Sequence, residues 1–246
     1  MSLAGQRVVI IGASAGVGEA TASAFAAAGA SVIITGRSKE RLDAAVQRIG
    51  QGVEAREFDA ADDEAVREFF GSSGTIDHLV LAASPGAVGS GPFATLEEDA
   101  LRQAFDGKFF AYVKVLKAAL PVLRADGSVT VISAVSARSA FPGAAGLAAV
   151  NGAIEAMVPP LAVELAPLRI NAVSPGVIDT QWWHGLPDDQ RSAFFAQVAA
   201  VSPVGRVGTA EDVAAAVLYL SQAGFVTGTV LECAGGSNLT AGAVAS

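Results

Sequence analysis

The 246-residue sequence contains one cysteine, two histidines and two tyrosines. A lone thiol excludes an intrachain disulfide, and Cys233, set in the strand-like run TVLECAGG, reads as a buried structural group rather than a nucleophile. Charge is scarce too: 16% of residues are charged against 52% hydrophobic, and the formal net charge is −8. A nucleic-acid partner needs clustered Lys and Arg, so the acid excess argues against one. No apolar run approaches the ~18 residues of a membrane span, which predicts no membrane partner. The opening MSLAGQRVVIIG enters an apolar strand without a charged leader or a small-residue cleavage site, which predicts a cytoplasmic protein. So little charge also fits surface buried between subunits.

What the sequence does have is a regular alternation. Short apolar runs at 7–12, 31–36, 53–59, 78–84, 128–133, 169–174 and 229–233 alternate with helical stretches at 17–28, 38–49, 62–70, 96–124, 144–166 and 210–222. Strands that are apolar throughout and separated by helices predict a doubly wound parallel sheet covered on both faces, an α/β Rossmann fold in a single domain spanning 1–246. The irregular insertion is 177–209, rich in turn formers and aromatics, placed where an open α/β sheet carries a ligand-covering loop. Pro159 and Pro160 fall inside the 144–166 helix, where two missing backbone donors predict a kink.

The first strand runs into GASAGVGEA, with Gly12, Gly16 and Gly18, and then into a helix. Glycines between the first strand and first helix of a βαβ unit let backbone amides of Ser14, Gly16, Val17 and Gly18 approach a pyrophosphate, whose charge the helix N-terminus favours. At the end of the second strand a carboxylate would accept from a ribose 2′-hydroxyl. The sequence offers Gly36 and then Arg37, which can pair with a 2′-phosphate, so the expected cofactor is NADP(H). Ser14 and Ser38 have hydroxyls that can reach the same phosphate.

With these pieces in order, the chain resembles the short-chain dehydrogenase/reductase family over nearly its whole length. The glycine motif of that family is similar to GASAGVG at 12–18, its acidic adenine-contacting position to Asp59, followed by Ala60, and its strand-end Pro-Gly to Pro175 and Gly176. Thr180 matches the position that holds the nicotinamide carboxamide. The family's Asn-Asn-Ala-Gly appears as Leu81, Ala82, Ala83 and Ser84, which loses side-chain hydrogen bonds but keeps room beside adenosine. Ala234 in the closing LECAGGSNL stands where an aspartate is common. The resemblance implies a small-molecule substrate and a homodimer or homotetramer.

The resemblance also implies an Asn-Ser-Tyr-Lys active site, and here the sequence departs. The serine position is Ala134, the tyrosine position Leu147, the lysine position Asn151 and the asparagine position Lys108. The tyrosines are Tyr112 and Tyr219, and no lysine follows Lys117, so no register yields a Tyr-x-x-x-Lys pair. General acid–base help is worth typically ~10²–10⁴ in rate, and without it an alkoxide is costly in a dry pocket.

Two side chains are candidate substitutes. Lys108 occupies a site position, where burial would lower its pKa and let it donate a proton, although a helical lysine is ordinarily a solvated charge. His184 lies in the loop segment and titrates near neutrality, although a loop histidine is ordinarily solvated. Ser133 and Ser136 flank Ala134 and are expected to bond their own backbone. Tyr112 is expected in packing, and Trp182 and Trp183 either cover an apolar ligand or simply pack. Two functions stay open: an atypical NADP(H)-dependent oxidoreductase on a small, apolar carbonyl-type substrate, or a silent NADP(H)-binding sensor or regulatory subunit. Halide or epoxide chemistry fits poorly, because the relatives that perform it also use tyrosine and the phosphate loop here is intact.

Overall fold

The computed structural model describes residues 3–239. Its elements in chain order are β1 (Arg7–Ile11), α1 (Gly16–Ala27), β2 (Ser31–Gly36), α2 (Lys39–Ile49), β3 (Val53–Glu57), α3 (Asp63–Ser72), β4 (Ile76–Leu81), α4 (Glu98–Ala104), α5 (Ala111–Ala119) and β5 (Leu123–Ile132). Then follow α6 (Ala145–Glu164), β6 (Arg169–Pro175), β7 (Ile178–Asp179), α7 (Asp188–Val201), β8 (Gly208–Thr209), α8 (Ala210–Gln222) and β9 (Val230–Cys233). Seven strands form one parallel sheet in the order β3-β2-β1-β4-β5-β6-β9.

The apolar strand runs belong to this sheet because both its faces are covered. Val8, Ile10, Val32 and Ile34 point to the side packed by Phe25 of α1, Leu42 of α2 and Val217 of α8. Their neighbours Val9, Ile11 and Ile33 point the other way, onto Phe70 of α3, Tyr112 of α5 and Ile154 of α6. Alternation of side chains along a strand thus feeds two cores from one run. The chain order reverses between β1 and β4, and ligands of open α/β sheets bind at such a switch, beyond the carboxyl ends of the strands.

Four sequence expectations need amendment. The expected 96–124 helix is α4, a π-helical stretch Phe105–Phe110 and α5, after which β5 starts early, at Leu123. The prolines do not interrupt α6, which is helical through both; Pro159 and Pro160 lie on its exposed side, where water can serve the carbonyls they leave unpaired. The same helix is also long and apolar enough by composition to cross a membrane, contrary to the expectation of no such run; here it packs Val150, Ile154 and Val158 into the core. The 177–209 insertion is not irregular throughout: it contains α7, and β7 pairs with β8 across its base.

Candidate active site

A cavity of about 1110 Å³ runs across the carboxyl ends of β1, β2, β4, β5 and β6. One end holds the glycine-rich turn that follows β1. Helix α1, like α4, α6 and α7, has no side-chain cap, and its first residues line this end of the cavity with their amides available. Ser14, Gly16, Val17 and Gly18 line this end. A Cβ on Gly12 would stand 2.5 Å from the Ala83 Cα, and one on Gly18 would stand 2.2 Å from the Gly12 carbonyl oxygen. Only glycine permits this close a turn, and only a small residue at position 83 permits the β4 loop to lie against it.

At the end of β2, Arg37 and Arg41 both reach the cavity wall, and neither guanidinium has an ion-pair partner among the described residues. Arg41 follows Arg37 by four residues in RSKER, a second cation that the sequence reading did not single out. Ser38 lines the same wall, but its oxygen caps α2 at Arg41 N and its proton goes to Glu40. Thr35 Oγ1, also on the cavity wall, is buried and without a hydrogen-bond partner among the described residues. Asp59 and Ala60 lie beyond, the Asp59 carboxylate accepting from Ala61 N at 2.9 Å. Ala82, Ala83, Pro175, Gly176 and Thr180 complete the wall toward the other end. Thr180 caps the turn Gln181–Trp183 and stands against Gly16, 3.5 Å from where a Cβ would be, so the insertion closes on the phosphate loop.

The other end is apolar above and polar below. Phe141, Leu147, Trp182, Trp183, Phe194 and Val198 line it. Trp183 packs edge-on against Trp182 and tilted against Phe194, with ring centroids 4.4 and 4.9 Å apart, and its indole donates to the Ile178 carbonyl at 2.9 Å. Underneath, α6 presents Leu147, Asn151 and Glu155 at four-residue spacing on one face. Lys108 meets this face from the π-helical stretch. Its neighbour Gly107 makes the approach possible, since a Cβ there would sit 2.9 Å from Pro85.

Lys108 is 9% exposed, and its ammonium donates to Asn151 Oδ1 at 2.7 Å and toward the Ser133 carbonyl at 3.4 Å. It is therefore not a solvated helical charge. Burial pushes its pKa from 10.5 down to about 8, and the Glu155 carboxylate acts against that drop. Glu155 is buried and accepts from Ser133 Oγ at 2.7 Å, Ser174 Oγ at 2.9 Å and Arg138 at 2.8 Å. Arg138 continues to Glu232. A buried ammonium one bridging serine away from a buried carboxylate is the arrangement that makes either charge tolerable.

Asn151 has a fixed orientation for chemical reasons. An ammonium can only donate and a carbonyl can only accept, so Oδ1 faces Lys108 and Nδ2 faces the Leu147 carbonyl, at 2.9 Å, and Ser136 Oγ, at 3.1 Å. Ser133 and Ser136 were expected to bond their own backbone; instead they bond across to α6. Tyr112 is fully buried at the cavity floor, its hydroxyl donating to the Ala83 carbonyl at 2.9 Å, and burial pushes its pKa upward. That proton is committed. His184 is exposed, caps the Gln181–Trp183 turn and does not line the cavity. Cys233 is half-buried, and burial raises its pKa, as expected of a structural thiol. The described residues contain no cluster suited to a metal ion.

A family model described as enoyl-(acyl carrier protein) reductase matches residues 12–238. The short-chain dehydrogenase/reductase ATR9 of Stachybotrys chlorohalonatus is 30% identical over 97% of this chain and 99% of its own. Human L-xylulose reductase is 30% identical over 95% of this chain and 97% of its own. A solved small-chain dehydrogenase in complex with NADPH has 30% identity and a TM-score of 0.79, covering 95% of this chain and 99% of that one. The chain belongs to the short-chain dehydrogenase/reductase family. In this family member the loops after β1, β2 and β4 and the insertion after β6 line one cleft. The residues missed from the sequence of this family member are Arg41, Glu155 and Arg138, together with the meeting of Lys108 and Asn151. Both members of that pair had been placed at site positions; reading them as partners was the available signal.

Proposed function

We propose that this short-chain dehydrogenase/reductase is an NADP(H)-dependent oxidoreductase that acts on a small, apolar carbonyl-type substrate without a tyrosine–lysine relay. The observation that carries the reading is a single cleft joining an uncapped helix N-terminus and two unpaired arginines to an aromatic-walled chamber. The amides from Ser14 to Gly18 hold the pyrophosphate, with Gly12 keeping the turn tight. Arg37, seconded by Arg41, pairs with the 2′-phosphate, and a carboxylate in that place would repel it. Asp59 and Ala60 border the adenine, Ala82 and Ala83 leave room for the adenosine, and Pro175, Gly176 and Thr180 receive the carboxamide. The solved relative that binds NADPH supports the same choice of dinucleotide.

When bound, NADPH would supply the hydride that reduces a substrate carbonyl carbon, and the proton that completes the alcohol would come from solvent. Leu147 and Ala134 offer no hydroxyl, so the family's usual proton donor is replaced. Trp182, Trp183 and Phe194 exclude bulk water and favour an aryl or alkyl group over a polyol. A silent nucleotide sensor would not require such a chamber. The subunit is expected to form a homodimer or homotetramer, as low charge content suggests.

The test is purified protein with NADPH and a panel of aromatic and aliphatic aldehydes and ketones. Loss of the nicotinamide absorbance at a rate set by the substrate supports the reading. Tight NADPH binding with no turnover across the panel contradicts it.

A further inference from the structure

Ser136 sits in the turn Val135–Ala137 just past β5, half-buried, on the cavity wall beside Ala134 and Leu147. Its oxygen accepts from Asn151 Nδ2 at 3.1 Å, and no acceptor for its own proton is found among the described residues. Asn151 is in turn clamped at its carbonyl end by the Lys108 ammonium at 2.7 Å. The result is a directional chain: N⁺–H to amide carbonyl, amide N–H to hydroxyl, hydroxyl proton into the cleft. Each link polarises the next, and the low dielectric of a buried site strengthens the effect. The chain starts on a positive charge and ends on a donor, so it is matched to a negative oxygen.

We propose that Ser136 is the hydrogen-bond donor to the substrate carbonyl oxygen, and that Lys108 and Asn151 are positioning residues that orient and polarise it. This rests on the oxidoreductase reading above and identifies the group that replaces the absent hydroxyls at 134 and 147. The residue types found at the asparagine and lysine positions of the family are exchanged between the two, Lys108 for Asn and Asn151 for Lys. The exchange moves the charge from α6 to the π-helical stretch and puts the lysine in direct contact with the asparagine. Ser136 then lies one residue pair beyond the usual serine, and Ala134 leaves the space that a ligand oxygen needs to reach it. No proton leaves Ser136: it holds the oxygen as negative charge develops there, the role of a preorganised donor.

Three alternatives in the site are less suited. Tyr112 has spent its proton on Ala83, Ser133 has spent its own on Glu155, and Lys108 points its ammonium at Asn151 and the Ser133 carbonyl.

The experiment compares wild type with Ser136→Ala, Ser136→Thr, Asn151→Leu and Lys108→Met. Two readouts are used: NADPH-dependent reduction of benzaldehyde and acetophenone, and the infrared carbonyl band of acetophenone bound in the presence of NADP⁺. Loss of an oxyanion donor costs about 10²–10³-fold in kcat. Ser136→Ala is therefore expected to lose about 10²-fold in kcat with NADPH affinity unchanged, and Ser136→Thr, which keeps the hydroxyl, to recover most of it. Asn151→Leu and Lys108→Met are expected to lose about five- to tenfold, the worth of one hydrogen bond. The carbonyl band of the bound ketone is expected at lower wavenumber in wild type and Ser136→Thr, and back toward the free value in Ser136→Ala. A band that is the same in Ser136→Ala and wild type, or a measurable kcat that is the same in both, overturns the proposal. Absence of turnover in every protein together with a Ser136-sensitive band upholds the donor and overturns the oxidoreductase reading instead.

Discussion

Replacing Lys108 by methionine tests whether a charge has been buried at this site. The ammonium is enclosed by Asn151, the Ser133 carbonyl and the Glu155 carboxylate beyond it, and burial lowers its pKa from 10.5 to about 8. Between these values the unfolded chain binds a proton that the folded protein does not, so stability rises with pH across this window and falls as pH drops through about 8. At ~1.36 kcal/mol per pH unit the full window is worth ~3 kcal/mol. Urea unfolding of wild type and Lys108→Met, from about pH 7 to about pH 10.5, isolates the contribution, because subtraction removes groups common to both, such as Cys233. Wild type should gain up to ~3 kcal/mol on the variant as pH rises. Near neutrality the variant should be no less stable than wild type, since removing a buried ammonium offsets the donor lost by Asn151. A difference that stays flat with pH, or that runs the other way, refutes a buried, depressed lysine.

His78 makes a parallel case at acid pH. It is buried in β4 between Ser128 Oγ and Gln6 Oε1, each at 2.7 Å, and burial lowers its pKa from 6.5 to about 4. Its contribution is present above 6.5 and is lost as pH falls through about 4, so His78→Gln should flatten the acid limb of a urea-midpoint profile. Arg37→Asp should weaken NADPH by about 10²-fold while sparing NADH, measured by calorimetry, because it replaces a charge-assisted pair with a repulsion. Gly12→Ala should abolish NADPH binding, since its Cβ would be driven 2.5 Å from the Ala83 Cα. Trp183→Ala should raise KM for aromatic aldehydes at least tenfold while leaving NADPH affinity intact, about the loss expected from one large aromatic wall.

The sheet was legible because its signal is strong: runs such as RVVII and SVIITG are apolar on both faces and separated by helix-length stretches. The glycine turn after β1 was legible because its glycines serve a backbone geometry that no other residue permits. Helix α7 was not, since the apolar face it forms with Phe194, Val198 and Val201 lines the cavity instead of packing into either core. The π-helical stretch was also hidden, because nothing in FDGKFF departs from helical pattern. Within it Gly107 lies so close to Pro85 that a Cβ would stand 2.9 Å away, and Lys108 reaches under the cleft from the next position. His184 shows the converse limit: sequence placed it in the correct loop, but which way a loop residue faces depends on the turn that Thr180 caps. Glu155 was overlooked because its partners lie on β5, β6 and the turn beyond, contacts that spacing along α6 does not encode.

Cofactor choice turns on a phosphorylated dinucleotide docking at the uncapped end of α1 and against Arg37. Titration calorimetry with NADPH and NADH tests this most directly. The expected result is saturable NADPH binding with NADH weaker by at least tenfold; no heat from either nucleotide up to millimolar concentration, or a preference for NADH, contradicts it.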